Sequence, residues 1–175
     1  MKSWVALLRG VNVGGHRKLP MADLRAALAA RGYGEVRTLL ASGNLVLEAA
    51  DATAAALEAR LEADLEAVAG VRTEVMVRDV AEWAALMAAN PFVAEAEAEP
   101  SRMMVVVMKA AADRAKGEAY LAGYAGDEKV AFVGRDVFVF FRAGMGDSKL
   151  AIGKFGVGTA RNWNTVRKLG AMLGV

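Results

Sequence analysis

Two hydrophobic periods alternate along this chain. Trp4–Leu8 is an unbroken apolar run, the pattern of a buried strand. Met21, Leu24 and Leu28 then repeat at helical spacing, and Arg31-Gly32 supplies a C-terminal stop. Val36–Ala41 and Asn44–Leu47 read as two strands joined by a tight turn at Ser42-Gly43. Thr53 is placed to cap a helix whose inward stripe is Leu57, Leu61, Leu65 and Val68. Glu58, Glu62 and Glu66 lie four apart on an adjacent stripe, which reads as a solvated helix face rather than a cation site. Arg72–Val77 is a strand. The order to that point is β-α-β-β-α-β, the ferredoxin-like plan.

The second half echoes the first without a residue-level repeat. Asp79 with Glu82 forms a capping pair for a helix that turns Val80, Trp83 and Leu86 inward, and Asn90-Pro91 ends it. Residues 94–100, "AEAEAEP", have no core side chain and read as an exposed linker. Met103–Met108 is a strongly apolar strand, and a weak helix follows from about Ala111 to Tyr124. Lys129–Val133 and Val137–Arg142 form a hairpin around Gly134-Arg135, and two short helices finish the chain, the second from about Thr159. The predicted fold class is α+β in two layers, with a ferredoxin-like βαββαβ half and a βαββαα half. The predicted divisions are a subdomain over 1–78, a helix and linker over 79–100, and a second subdomain over 101–175.

Charge changes this picture. Residues 1–47 carry seven basic and two acidic side chains, residues 48–99 three and twelve, and residues 100–175 twelve and six. Both ends are therefore basic and the middle acidic. If the ends fold together they present one basic face to anions; otherwise the segments neutralise each other across the fold. Cysteine is absent, which removes disulfides and thiol chemistry and fits a cytoplasmic protein. The single histidine, His16, removes multi-histidine metal sites, so no metal and no cofactor is expected. No apolar run is long enough to span a bilayer, and Arg9 interrupts the first one before a signal-peptide core forms.

The segment "RGVNVGG", Arg9 to Gly15, joins the first strand to the first helix. Gly10 and Gly15 have the spacing of a phosphate-binding loop, but His16 and Arg17 stand where the lysine and the hydroxyl would be needed. The helix also begins too late, near Pro20, to rest its N-terminus on a phosphate. What remains is a loop with Arg9, Asn12, His16, Arg17 and Lys18 and no acid; the plainer reading is a solvent loop whose glycines serve turns. Near the other end, "TARNWNTVRKL" places Trp163, Val166, Leu169 and Leu173 inward and Arg161, Asn164, Thr165 and Lys168 on the opposite face. With Thr159 as N-cap, Arg161 falls in the first turn, where a cation opposes the helix dipole unless an anion or a carboxylate such as Asp147 or Asp136 attends it. Trp163 reads as a core anchor.

Taken together, "LLRGVNVGG", "LPMADLRAAL", "ASGNLVLE", "NPF" and "TARNWNTVRKL" resemble the bacterial family called domain of unknown function 1697, from about Val5 to Leu169. The resemblance implies a two-part α+β fold with a ferredoxin-like first half, and no activity. Its motif residues fall on Arg9, Gly10, Asn12, Gly14, Gly15, Ser42, Gly43, Asn44, Arg161, Asn162, Trp163, Asn164 and Thr165. This chain departs from the family before the last motif, where "AIGKFGVG" replaces a longer charged helix.

The first functional reading is a binder of an anion, a phosphorylated ligand or nucleic acid. Its ligand residues are Arg9, Asn12, Gly14, Gly15, Ser42, Asn44, Arg161, Asn162, Asn164 and Thr165, with "RGVNVGG" and "RNWNT" facing one cleft. The strands lack the aromatic pattern of RNA-recognition sheets. The alternatives are an interaction or oligomerisation module, and an enzyme on a small polar substrate; in the latter the general base would fall to His16, since no carboxylate lies inside the motifs.

Overall fold

A computed structural model of the chain describes residues 1–13, 18–50 and 52–175. Contacts divide the chain into two compact units, Met1–Ala85 with Lys168–Val175, and Leu86–Arg167.

In the first unit β1 (Lys2–Leu8), α1 (Met21–Ala30), β2 (Gly34–Leu39), β3 (Asn44–Ala49), α2 (Ala54–Ala69) and β4 (Val75–Asp79) follow in the predicted order. The sheet runs β2-β3-β1-β4, with every neighbouring pair antiparallel. β1 is central because its alternate residues are apolar on both faces. Trp4, Ala6 and Leu8 join Leu45, Leu47, Val75 and Val77 against Leu24 and Leu28 of α1 and Leu57, Leu61 and Leu65 of α2. Val5, Leu7, Val46, Met76 and Arg78 on the opposite face are buried as well. The Thr53 hydroxyl caps α2 by accepting from the Ala56 amide, as its position predicts.

The carboxylate row of α2 corrects the solvated-face expectation. β4 is an edge strand, so its outward amides need acceptors. Glu58, only 6% exposed, accepts from the Val77 amide at 2.9 Å, and Glu62 accepts from the Val75 amide at 2.8 Å. Four residues of helix advance about 6 Å, close to the advance of two residues of strand. A carboxylate every fourth residue therefore meets every second amide. The next outward amide, that of Asp79, donates to Glu82 within the predicted capping pair, and Asp79 accepts in return from the Glu82 amide. Glu58→Ala would leave a buried amide of β4 without this acceptor. The expected loss is about 1.5–3 kcal/mol, read from urea unfolding, with Glu58→Gln close to wild type because its amide oxygen still accepts.

α3 (Val80–Ala88) follows directly on β4, and Trp83 is fully buried. Residues 94–100 differ from the expected exposed linker: α4 (Val93–Ala98) forms there and Ala96 is 1% exposed. An alternating Ala/Glu sequence hides a short helix, because one small alanine suffices to seat it.

The second unit contains β5 (Met103–Met108), α5 (Arg114–Ala122), β6 (Lys129–Val133), β7 (Asp136–Phe140), a 3₁₀ turn (Ile152–Phe155) and β8 (Gly158–Asn162), and α6 (Trp163–Leu173) continues from β8. Its strand order, β6-β7-β5-β8, repeats that of the first unit, again all antiparallel. Met104, Val106, Met108, Val137, Val139, Phe141 and Phe155 form its core. The equivalence reaches single residues. Arg78 of β4 stands opposite Val5, and Arg161 of β8 opposite Val105. Each arginine is buried and donates to the carbonyl of the residue before it. Each is followed by a capping side chain, Asp79 or Asn162, and then by a helix. No helix among the described residues is long and apolar enough to cross a membrane.

Candidate functional site

The first motif leaves β1 at Leu8. The Arg9 amide donates to the Glu74 carbonyl, and the Thr73 hydroxyl donates to the Arg9 carbonyl at 2.6 Å. The Arg9 guanidinium pairs with Glu74 at 2.6 Å, with both side chains nearly half exposed, so an acid from outside the motif neutralises it. Gly10 at φ +65° turns the chain, and Val11 drops into the core. Asn12 then takes φ +53°, unusual for a residue with a side chain. Its amide nitrogen donates to the carbonyls of Leu19 and Ala41, and its oxygen accepts from the Leu19 amide. Asn12 thus joins Leu19, just before α1, and Ala41, just before the Ser42–Gly43 turn. Gly14, Gly15, His16 and Arg17 of the predicted loop lie outside the described residues.

The second motif, Ser42 to Asn44, is brought to the first. Gly43 has φ +83°, and its carbonyl accepts from the Leu8 amide at 2.8 Å. A Cβ on Gly43 would lie 2.6 Å from Val11 Cγ2 and 2.7 Å from Leu8 Cβ. The Asn44 side chain is fully buried, and its amide donates to the Leu39 carbonyl and to Ser42 Oγ. Just before the motif, Leu40 takes φ +59° while the residue stays 57% exposed.

Asn12 and Leu40 line one groove of about 640 Å³ together with Lys18, Leu19, Pro20, Met21, Thr38 and Ala41. Its walls are apolar, and among the described residues no acid lines it and Lys18 is its single cation. Arg25 of α1 donates to the Thr38 hydroxyl at 2.8 Å and adds a second positive charge beside it. A larger cavity of about 890 Å³ holds Arg9, Glu62, Glu66, Arg72, Thr73 and Glu74. There Arg9 pairs with Glu74 and Arg72 with Glu66, and the extra carboxylate of Glu62 leaves the lining net negative. That lining repels anions. The groove walls were the part hidden in the sequence: Leu19, Pro20, Met21 and Leu40 read there only as helix start and strand end.

The third motif corrects the helix expectation. Gly158–Asn162 is strand β8, and the helix begins at Trp163 rather than about Thr159. Asn162 is the cap: its side-chain oxygen accepts from the Thr165 amide at 3.0 Å and from the Thr165 hydroxyl. Arg161 is therefore a strand residue just before the cap and not in a first helical turn. It pairs in register with Val105, is 7% exposed, and donates to the Thr159 hydroxyl and the Ala160 carbonyl. Burial lowers its pKa to about 10, which leaves it cationic at neutral pH. Asn164 accepts from Arg167, and Thr165 is buried. Arg9, Asn12, Ser42 and Asn44 belong to the first unit, and Arg161, Asn162, Asn164 and Thr165 to the second. Among the described residues no group of His, Asp and Glu has the arrangement of a metal site.

The fold is similar to that of a solved structure, the conserved bacterial protein SP0830 from Streptococcus pneumoniae, with a TM-score of 0.77 over 98% of each chain and 23% identity. At that identity the likeness speaks for the fold. No curated protein matches the chain. A family model described as "Protein of unknown function (DUF1697)" matches residues 1–138. With well over half of its length so matched, the chain belongs to the family of proteins of unknown function 1697.

Proposed function

We propose that the chain binds a small organic anion, a phosphorylated or carboxylated molecule with an apolar body, in the groove between Asn12 and Leu40. The observation that carries this reading is the meeting of two non-glycine residues with positive φ at one apolar groove that no acid lines among the described residues. Such backbone costs of order 1–3 kcal/mol each and concentrates at ligand sites. Leu40 gains little from burial that would offset the cost, since the residue is 57% exposed. A volume of about 640 Å³ suits a small molecule, and apolar walls with a few polar groups are the usual make-up of such sites. Lys18 and the Arg25–Thr38 pair give the anionic end its partners. The side chains of Asn12, Ser42 and Asn44 serve as scaffold, because their polar atoms are engaged with the chain itself.

The test uses benzyl phosphate, benzyl alcohol and inorganic phosphate as probes, with amide resonances as readout. Benzyl phosphate is expected to shift Leu19, Met21, Thr38 and Ala41 and to bind at least about tenfold tighter than benzyl alcohol, a difference of about 1.4 kcal/mol. Lys18→Gln should erase that difference. Leu40→Gly should keep or raise the melting temperature, since glycine accepts the positive φ, while weakening benzyl phosphate. Resonance shifts confined to other regions, or no shift with any probe, would reject the groove.

A further inference from the structure

We infer that the outer edge of β8 is a docking surface for an acidic helix of a partner protein, one that carries two carboxylates four residues apart. The first unit holds the equivalent surface already occupied. There α2 and β4 take the places in the chain order that the 3₁₀ turn and β8 take in the second unit. The carboxylates of Glu58 and Glu62 accept from the outward amides of Val77 and Val75. α2 has 16 residues, whereas the 3₁₀ turn has four and no acid.

The register fixes which groups of β8 point outward. The Met108 amide donates to Asp136 of β7, and the Lys109 amide donates to the Val157 carbonyl on the β8 side. Neighbouring strand residues alternate in direction, so Val105 and Val107 exchange bonds with their register partners Arg161 and Thr159. The amides of Gly158 and Ala160 therefore face away from the sheet. Among the described residues no acceptor meets either amide. Both residues are partly exposed, whereas Val75 and Val77, packed with α2, are fully buried.

The kind of partner follows from the edge itself. The Ala160 carbonyl accepts from the Arg161 guanidinium, as the Val77 carbonyl does from that of Arg78. An added strand must donate as well as accept, and the carbonyl it needs in the middle of this edge is engaged. Carboxylates only accept, and the two outward amides only donate. The charge agrees, since residues 149–167 carry four basic side chains and no acid. The spacing agrees as well. Two strand residues advance about 6.6 Å and four helical residues about 6 Å. Carboxylates at i and i+4 thus reach Ala160 and Gly158 in turn, on a helix running antiparallel to β8 as α2 runs to β4. Val157, 39% exposed beside Gly158, offers an apolar contact next to the amides.

The test uses a synthetic peptide with the α2 sequence, stapled into a helix away from its glutamates, with amide resonances and amide hydrogen exchange of the whole chain as readout. In the free protein the Gly158 and Ala160 amides should exchange much faster than those of Thr159 and Arg161. The peptide should shift the first two and slow their exchange. The same peptide with alanine in place of Glu58 and Glu62 should bind at least about tenfold more weakly, because each charge-assisted bond is worth that much. Ala160→Pro removes one outward amide at an edge position, where proline is tolerated, and should weaken the α2 peptide by about tenfold. The comparison of the two peptides needs no variant of the protein, so it decides the matter even where Ala160→Pro does not fold. Four results would overturn the inference: slow exchange of both amides in the free protein, no shift with the α2 peptide at millimolar concentration, equal binding of the alanine peptide, or an equal shift with free glutarate. Protection that appears only as protein concentration rises would assign the edge to a second copy and overturn it too. These readouts lie in the second unit and those of the groove in the first, so the two proposals stand or fall separately.

Discussion

Trp163→Ala is expected to lower the melting temperature by roughly 6–20 °C. Trp163 is 8% exposed and opens α6, where its amide donates to the Pro100 carbonyl. It begins the inward stripe that continues through the fully buried Val166 and Leu169, while Arg167 and Lys168 face water. Aromatic-to-alanine changes at buried positions cost about 3–5 kcal/mol, from the lost transfer energy and the cavity left behind. In a chain of this size each kcal/mol moves the midpoint by about 2–4 °C. Trp163→Phe keeps most of the ring and should recover most of the loss. The capping side chain of Asn162 is untouched in both variants, so a difference between them reports packing rather than helix initiation. A midpoint for Trp163→Ala within about 2 °C of wild type would show that the indole contributes little packing.

That tryptophan was legible from spacing alone, and so was most of the fold. β1, α1, α2 and the β6–β7 hairpin are marked by strong periodicity, and their tertiary surroundings agree with it. What periodicity missed falls where a partner decides the outcome. Gly158–Asn162 has the composition of a helix approach, yet it becomes a strand because its backbone pairs with β5 from Met104 to Met108. The cap then shifts from Thr159 to Asn162, and Arg161 changes from a helix-end cation to a strand residue. Glu58 looked like part of a solvated stripe because its acceptor role depends on β4, nineteen residues later. The candidate site was legible in half. The motifs "RGVN" and "SGN" do meet, through Val11 on Gly43 and through Asn12 on Ala41. Their asparagines and serine were read as ligand groups; in the structure the two asparagine amides donate to backbone carbonyls, and Asn44 donates to the Ser42 hydroxyl as well. Polar residues in loops serve both ends, and composition does not distinguish them.

The meeting of those two motifs yields the second large effect. Gly43→Ala is expected to cost roughly 2–5 kcal/mol. A positive φ costs a residue with a Cβ about 1–2 kcal/mol, and forcing a methyl into a filled space costs about 1–3 more. The methyl has nowhere to go. It would stand 2.6 Å from Val11 Cγ2 and 2.7 Å from Leu8 Cβ, both side chains are fully buried, and the Leu8 amide holds the Gly43 carbonyl in place. Gly32→Ala is the matched control, since φ is +87° there and nothing lies within 4 Å of a Cβ. It should show the backbone cost alone. Adding Val11→Ala to Gly43→Ala removes the closest collision but keeps the one with Leu8. A double-mutant cycle should therefore show a favourable coupling that recovers part of the loss, even though Val11→Ala by itself destabilises. Val11 precedes Asn12, so its displacement also strains the bond from Asn12 to Ala41 and the wall of the groove. Gly43→Ala should then weaken benzyl phosphate as well as lower the melting temperature, whereas Gly32→Ala should lower the melting temperature alone. Equal losses of stability in the two glycine variants would mean that Gly43 is needed only for its turn, and that the contact between the two motifs does not hold the groove.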